Sequence, residues 1–140
     1  MDIFTSFRIC SSGLTAQRAK MDVIASNLAN VETTRTPEGG PYKKKTVILA
    51  AEPMADVFGS ALKAAVRAVK VDSVAEDKEV KMMYEPAHPD ADDKGYVAKP
   101  NVNPITEMAE MITTGRNYEA MVTAFDATKN MALKTLEMGK

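Results

Sequence analysis

Apolar residues near the amino end of the chain recur alternately four and three positions apart, as on one face of a long helix. This face consists of Ile3, Phe7, Cys10, Leu14, Met21, Ile24, Leu28 and Val31, with Gln17 interrupting it. The first proline is Pro37, and Asn30 with the segment 33–41 ends the pattern. We therefore predict a helix over 3–30, about 40 Å long at 1.5 Å per residue. Gly13 is expected to cost it about 1 kcal/mol relative to alanine.

The same spacing returns near the carboxyl end, over Met108, Met111, Gly115, Tyr118, Val122, Phe125, Lys129, Ala132 and Leu136. Further apolar residues widen this face, namely Ile105, Ile112, Met121 and Met131. Pro104 suits the first turn of a helix, Asn103 can cap it, and Gly139 stands where a helix end is expected. We predict a helix over 104–138, about 50 Å long. Its broad apolar face is expected to pack on more than one side.

The middle of the chain carries short strand patterns separated by turns. Strands are predicted at 47–50, 66–74 and 80–84, and the last two are expected to pair as a hairpin through the polar turn 76–79. Residues 54–65 carry an ambiguous helical pattern, which Gly59 weakens. Three prolines in 85–103 predict extended or turning chain there, apart from the apolar triplet 96–98.

These elements predict an α+β fold that is mainly α. Long terminal helices pack as a coiled-coil-like pair, and the irregular middle region contains a small β-hairpin. We expect 1–31 and 104–140 to form one helical domain, with 32–103 as the middle region. The pattern leaves two arrangements open. Either the two apolar stripes face each other in a small bundle, or they seek neighbours in other chains.

Composition narrows the classes of function. The chain has 140 residues, about one domain, with 18 basic and 19 acidic residues and a net charge of −1. This balance argues against nucleic-acid binding, and the run Lys43–Lys45 predicts a solvated strand end or loop. The single cysteine, Cys10, excludes an intramolecular disulfide. No apolar run reaches the ~18–20 residues of a membrane span, and no cleaved signal peptide is indicated.

Known catalytic motifs for nucleophiles, phosphates and zinc are absent from the sequence. Residues 90–95 imitate the start of a calcium loop, but Lys94 occupies its fifth position and Asn101 stands at the twelfth in place of the bidentate glutamate. The segment 76–94 has a net charge of −4, which provides an acidic patch for a partner or merely a solvated hairpin. We expect no enzymatic activity, cofactor or metal. A small enzyme using His88 and the nearby acids is the catalytic alternative.

Three blocks of sequence resemble the bacterial flagellar axial proteins, which include rod, hook and hook-associated proteins. The first block runs from Gly13 to Arg18 and into Ile24–Val31, with the motif Ser26-Asn27-Leu28-Ala29-Asn30. The second comprises Tyr84–Asp92, Lys94–Val97 and Pro100–Asn103, and it resembles the block that separates proximal-rod subunits from other rod subunits. The third comprises Glu107-Met108, Met111-Ile112, Arg116–Ala120 and Lys134–Leu136. Ala87, Gly115 and Met121 depart from residues common in the family.

The resemblance implies a structural subunit of the proximal rod of the flagellar basal body, which assembles helically through its terminal helices. The rod is the drive shaft in the periplasm that transmits torque from motor to hook. Implied partners are copies of this chain, other rod proteins, the rod–MS-ring junction protein and the flagellar type III export apparatus. The resemblance also implies export without a cleaved signal peptide and terminal segments that are disordered until assembly. Another rod subunit and a soluble helical-bundle adaptor are the alternatives.

The terminal stripes and the asparagines of the Ser26–Asn30 motif supply the candidate interface residues. On the first helix Phe7, Leu14, Met21 and Leu28 are expected to pack on the chain's own second helix, while the broader second face meets adjacent subunits. The full set of candidate subunit-interface residues is Phe7, Leu14, Met21, Ile24, Asn27, Leu28, Asn30, Met108, Met111, Ile112, Tyr118, Val122, Phe125 and Leu136.

Leu14→Asp tests the first stripe. A carboxylate at a position that packs against apolar neighbours must be desolvated, so we expect loss of rod incorporation and of motility. Swimming in soft agar by a strain that carries only the variant measures this. Normal swimming would contradict the hypothesis.

Overall fold

The computed structural model describes residues 3–53 and 66–139. In chain order these residues form a long helix, α1 (Ile3–Ala29), then four strands, then a second long helix, α2 (Pro104–Met138). The strands are β1 (Lys45–Pro53), β2 (Arg67–Glu76), β3 (Val80–Tyr84) and β4 (Tyr96–Pro100). This confirms the predicted fold class, mainly α with a small β part. The bounds of α2 agree with the prediction, and α1 ends one residue earlier than predicted.

Side-chain caps fix the inner ends of both helices. Asn103 precedes α2, and its side-chain oxygen accepts the backbone N–H of Ile105 at 3.1 Å, while Pro104 takes the first turn. At the end of α1, Asn30 donates from its side chain to the carbonyl of Ser26 at 2.8 Å. Asn103 therefore satisfies a backbone group that a helix end leaves unpaired, and the Asn30 side chain adds a second donor to a carbonyl that already accepts the Asn30 N–H.

The two helices run antiparallel, and α1 lies between α2 and the strands β1 and β2. The Phe7 and Phe125 rings meet edge to face, with centroids 4.9 Å apart. Towards the other end of the pair, Asn27 contacts Glu107. Every residue of the predicted α1 stripe is buried or half-buried. The stripe of α1 therefore faces the interior of the chain, which is the first of the two arrangements that the pattern left open.

The face of α2 that meets α1 is rotated by one residue from the predicted stripe. Its least exposed positions are Glu107, Met111, Thr114, Tyr118, Met121, Phe125 and Thr128, again spaced four and three apart. Met111, Tyr118 and Phe125 belong to both stripes. Met121 was among the residues that widen the predicted face, whereas hydrophobic periodicity missed Glu107, Thr114 and Thr128 because they are polar. Met108 and Val122, which we placed on the main stripe, are instead exposed.

Within the described residues the strands form two separate antiparallel sheets of two strands each, β1–β2, which we call the first hairpin, and β3–β4, which we call the second hairpin. The predicted hairpin between the second and third strands is therefore wrong. Strand β2 pairs with β1 over its whole length, with a bulge that leaves Asp72 unpaired. After β2, the Asp77 carboxylate accepts the N–H of Glu79 at 2.9 Å, and this turn leads the chain into a new hairpin. The triplet 96–98, which we excepted from the extended or turning chain predicted over 85–103, belongs to β4.

The predicted helical pattern at 54–65 lies outside the described residues. Within the described part, the fully buried apolar set is small: Ala16, Ile24, Tyr42, Val97 and Val102. Buried polar side chains accompany it: Thr5, Asn27, Glu107, Thr114 and Thr128. Many large apolar side chains remain exposed on α2 and on β3. The fold therefore leaves much apolar surface for contacts outside the chain.

The buried Gly13 of α1 lies directly against the Met121 side chain of α2. A Cβ built at this glycine would lie 2.7 Å from the Met121 sulfur and 3.0 Å from its methyl carbon. The glycine therefore has a packing reason that offsets its cost of about 1 kcal/mol in helix propensity.

We expect Gly13→Val to reduce swimming because the added methyl groups press on Met121, an overpacking cost of about 1–3 kcal/mol. Met121→Ala in the same chain removes the obstacle and should restore swimming. Soft-agar ring diameters of the two single variants and the double variant measure the coupling. Equal defects in Gly13→Val with and without Met121→Ala would show that the side chain is not the obstacle.

Candidate assembly interface and its polar anchor

Asn27 is the centre of a buried hydrogen-bond cluster between the two helices, and only 1% of it is exposed. Its amide nitrogen donates to the Lys45 carbonyl at 2.9 Å and to Glu107 Oε2 at 3.0 Å. Its oxygen accepts the Tyr42 hydroxyl at 3.0 Å and the Lys45 N–H at 2.9 Å. All four hydrogen-bonding positions of the amide are thereby used. We call Asn27, Tyr42, Lys44 and Glu107, with the Lys45 backbone, the Asn27 cluster.

The buried carboxylate of Glu107 is compensated by Lys44. The ammonium nitrogen lies 2.8 Å from Oε1, and the carboxylate is 1% exposed, whereas the lysine side chain still reaches solvent. Contact with Glu107 raises the pKa of Lys44 above its ordinary value of 10.5, against burial, which lowers it. Because the folded-state pKa is raised, the ion pair stabilises the fold fully below pH 10.5. That contribution is lost only as the pH rises through the raised pKa.

The cluster joins three parts of the chain that are distant in sequence. Asn27 lies in the last turn of α1, Lys44 directly precedes Lys45 at the start of β1, and Glu107 stands in the first turn of α2. Ser26 adds a hydrogen bond of 3.1 Å with the Tyr42 hydroxyl. The run Lys43–Lys45 stands at the start of β1, as we expected of a strand end or loop, and Lys44 in addition pairs with Glu107. Apolar periodicity could not have indicated Glu107 or Tyr42. For Glu107 the available signal was the presence of an acidic residue in the first turn of α2.

The candidate interface residues divide between two surfaces. On α1, Ile24 and Asn27 are buried, while Phe7, Leu14, Met21, Leu28 and Asn30 are half-buried. On α2, Met111, Tyr118 and Phe125 lie half-buried towards α1, and Met108, Ile112, Val122 and Leu136 are exposed. The exposed fractions of Ile112 and Leu136 are 59% and 71%. These four exposed residues of α2, together with the exposed Ile105, form a surface that we call the outward stripe.

The connection from β3 to β4 is a tightly bonded turn. Asp92 Oδ1 accepts the N–H groups of Lys94 and Tyr96 at 2.9 and 2.8 Å. Gly95 has φ +79°, and a Cβ there would lie 2.9 Å from the Tyr84 ring. This glycine is required by both its backbone conformation and the close ring. The acids that imitate a calcium loop thus serve turn geometry, as Asp92 shows.

Two other side chains connect this turn to the segment after α1. The Thr34 hydroxyl donates to Asp90 Oδ2 at 2.8 Å. Lys99 lies 2.8 Å from Glu85 and 3.0 Å from Glu32, and these hydrogen-bonded carboxylates raise its pKa.

His88 accepts the N–H of Asp90 at 3.1 Å through Nδ1. In the part of the chain that the structure describes, no group of three His, Cys, Asp or Glu side chains could hold a metal ion.

Comparison with known proteins decides between the structural roles left open by the geometry. Residues 7–35 match the family model "Flagella basal body rod protein", and 93–138 match "Flagellar basal body rod FlgEFG protein C-terminal". The flagellar basal-body rod protein FlgC of Bacillus subtilis (strain 168) is 43% identical over the full length of both chains. That of Borreliella burgdorferi is 42% identical over 94% of this chain and 93% of its own.

This chain belongs to the FlgC family. The FlgC protein of Escherichia coli O6:H1 is 40% identical, again over the whole of both chains. The resemblance stated from the sequence is therefore confirmed, and the chain is a structural subunit of the flagellar basal-body rod. Within 3–53 and 66–139, no helix combines the length and apolar character needed to cross a membrane.

The Asn27 cluster predicts a specific loss and rescue. Asn27→Asp places a second carboxylate 3.0 Å from Glu107 Oε2 and removes the donor to the Lys45 carbonyl. We expect loss of swimming, because an uncompensated buried charge costs about 3–5 kcal/mol. Adding Glu107→Gln removes the like-charge contact and should restore part of the swimming.

Soft-agar swimming and the subunit content of purified basal bodies measure both variants. Asn117→Asp makes the same chemical change at an exposed position of α2 and serves as the matched control. If Asn27→Asp swam as well as this control, the cluster would not be the anchor of the helix pair.

Proposed function

We propose that this FlgC-family chain is a subunit of the proximal rod, which it builds by helical assembly through its terminal helices. The single observation that carries this proposal is the outward stripe of α2. The rod so formed is a drive shaft in the periplasm that transmits torque from motor to hook. The role is structural, not enzymatic.

The outward stripe is apolar although nothing in the chain covers it among the described residues. Ile105 is 73% exposed and Met108 is 49% exposed, while the adjacent Glu107 is buried against α1. Each square ångström of apolar surface buried by a neighbour contributes about 25 cal/mol. Repeated along a helix of 35 residues, such a stripe supports a long contact with a neighbouring subunit.

A tube that bears torque needs contacts through which each subunit can bind a further subunit, instead of contacts that close on a dimer. Head-to-tail contacts between different surfaces extend helically when the rotation does not close. The chain supports this because its two terminal helices present different outer surfaces: α1 is covered by both α2 and the first hairpin, and α2 keeps one side open. The Asn27 cluster then holds the helix pair together as a unit.

The proposed partners are copies of this chain, other rod proteins, the rod–MS-ring junction protein and the type III export apparatus, which would export it without a cleaved signal peptide. Nucleic acid and membrane are not among them. Of the alternatives, another position within the rod stays closest. A soluble helical-bundle adaptor is disfavoured by the family membership and by the exposed apolar side chains of α2.

Ile112→Asp tests the outward stripe. A charge at the centre of an apolar contact must be desolvated, so we expect the variant to be exported but to be missing from purified rods, with loss of swimming. Thr113→Asp adds the same charge at the next position, which is exposed but lies outside the stripe. Immunoblots of the export fraction and of basal bodies measure the two steps.

Normal rods with Ile112→Asp would count against the outward stripe as an interface. Equal loss with Thr113→Asp would show a general sensitivity of α2 to charge, without support for the stripe.

A further inference from the structure

Strand β3 is open on both sides and along its outer edge. Every residue from Val80 to Tyr84 is exposed. Val80, Met82 and Tyr84 alternate along the strand and form an apolar row on one side. Within the described residues, β4 is the one element that contacts β3. One edge of β3 therefore pairs with β4, and the other edge has no strand beside it.

The hydrogen-bond pattern shows which backbone groups face this free edge. Glu85 donates its N–H to the Gly95 carbonyl at 2.9 Å, so these two residues are a hydrogen-bonded pair of the antiparallel ladder. Such pairs alternate with pairs whose N–H and C=O groups point away from the partner strand. Counted back from Glu85, Val80, Met82 and Tyr84 are of the second kind. We call their outward backbone groups the open edge.

The outer edge of β4, in contrast, is blocked within the chain. The N–H of Asp92 donates to the Tyr96 carbonyl at 2.9 Å, and Asp92 Oδ1 accepts the Tyr96 N–H at 2.8 Å. Pro100, at the other end of β4, has no N–H to offer. Unpaired strand edges invite another strand, and proteins block them with such features. Strand β3 has neither a proline nor a bulge.

The edges of the first hairpin are also interrupted. The Asn27 side chain bonds with both backbone groups of Lys45 in β1. In β2, Val69 donates its N–H to the Ser12 hydroxyl at 3.3 Å, and the bulge leaves Asp72 unpaired. A neighbouring copy therefore offers no uninterrupted edge from its first hairpin.

Charge disfavours pairing of β3 with the same strand of a second copy. In the antiparallel register with full overlap, Glu79 of each copy lies opposite Glu85 of the other. An in-register parallel pair would place Lys81 beside Lys81. Like charges directly opposite each other destabilise a strand pair. The strand that fits the open edge is therefore one from a different protein.

Side chains beside the open edge indicate what such a strand carries. The apolar row favours apolar residues at alternate positions. On the other side of β3, Glu79 and Lys81 are exposed, and no ion pair within the described residues involves either of them. The Glu79 carboxylate lies 3.5 Å from the Asn101 amide, a long contact to a neutral group. A basic residue opposite Glu79 and an acidic residue opposite Lys81 would complete these charges.

We propose that the open edge of β3 binds an extended segment of a different basal-body protein as an added strand. Main-chain hydrogen bonds to Val80, Met82 and Tyr84 supply affinity, and the alternating apolar and charged side chains supply selectivity. This inference goes beyond the proposed function, since it needs only that the chain stands in the basal-body rod and not how copies contact one another.

Proline at position 82 tests the main-chain contact. Because the Met82 N–H points outward, Met82→Pro keeps the hydrogen bonds between β3 and β4 and removes a donor of the open edge. Met82→Val is the matched control, because its side chain is similar in size to that of proline and its N–H remains. Each change is made in a chain that carries Tyr84→p-benzoylphenylalanine, and purified basal bodies are irradiated.

We expect the probe to form a product with a different protein, within an extended segment of alternating apolar residues. Met82→Pro should lower the yield about five-fold, as for the loss of one hydrogen bond of about 1 kcal/mol. Met82→Val should leave the yield nearly unchanged. A product with a second copy, no product, or equal yields from the two variants would overturn the proposal.

Hydrogen exchange on the unaltered chain gives a second measurement, which holds even if the substituted chains fail to enter basal bodies. In purified basal bodies, the amide of Met82 should exchange as slowly as the amide of Met83, which bonds to β4. Exchange at Met82 more than about ten-fold faster than at Met83 would show an unpaired edge and overturn the proposal.

Discussion

One buried amide holds the two terminal helices to the rest of the subunit. Asn27 has two donors and two acceptor positions, and the structure satisfies all of them from three different parts of the chain. Any other side chain would leave at least one buried backbone group of Lys45 or the carboxylate of Glu107 without its partner. The position of α2 relative to α1 and the first hairpin therefore depends on hydrogen-bond geometry more than on the size of a core.

The side chains at the contact between α1 and α2 are consistent with this anchor. The inner surface of α2 uses threonine and glutamate at several positions, and α1 offers glycine and alanine opposite it. Small and polar residues allow close approach but bury little apolar surface, so they contribute little hydrophobic free energy. The large apolar side chains of α2 are free for contacts between subunits. A protein that functions only as part of a polymer can distribute its apolar residues in this way.

Patterns among nearby residues predicted those features that nearby residues determine. Both long helices, the cap at Asn103 and the end of α1 follow from spacing and capping chemistry, and the structure confirms them. Two features were outside the reach of periodicity. The inner stripe of α2 is partly polar, and strand partners are decided by contacts between distant residues such as Lys45 and Glu76. The Ser26–Asn30 motif carried family information, but no local pattern indicates the hydrogen-bond partners of Asn27, because they are distant from it in sequence.

The attachment of the second hairpin differs in kind from the attachment of the helices. Lys99 reaches Glu32, whose side chain is 74% exposed, so this ion pair is open to water and to dissolved ions. Such pairs weaken as the screening length falls from about 8 Å at physiological salt to about 3 Å at 1 M. The Lys44–Glu107 pair, with its buried carboxylate, is screened much less. Raising the ionic strength therefore loosens the orientation of the second hairpin, while the helix pair keeps its geometry.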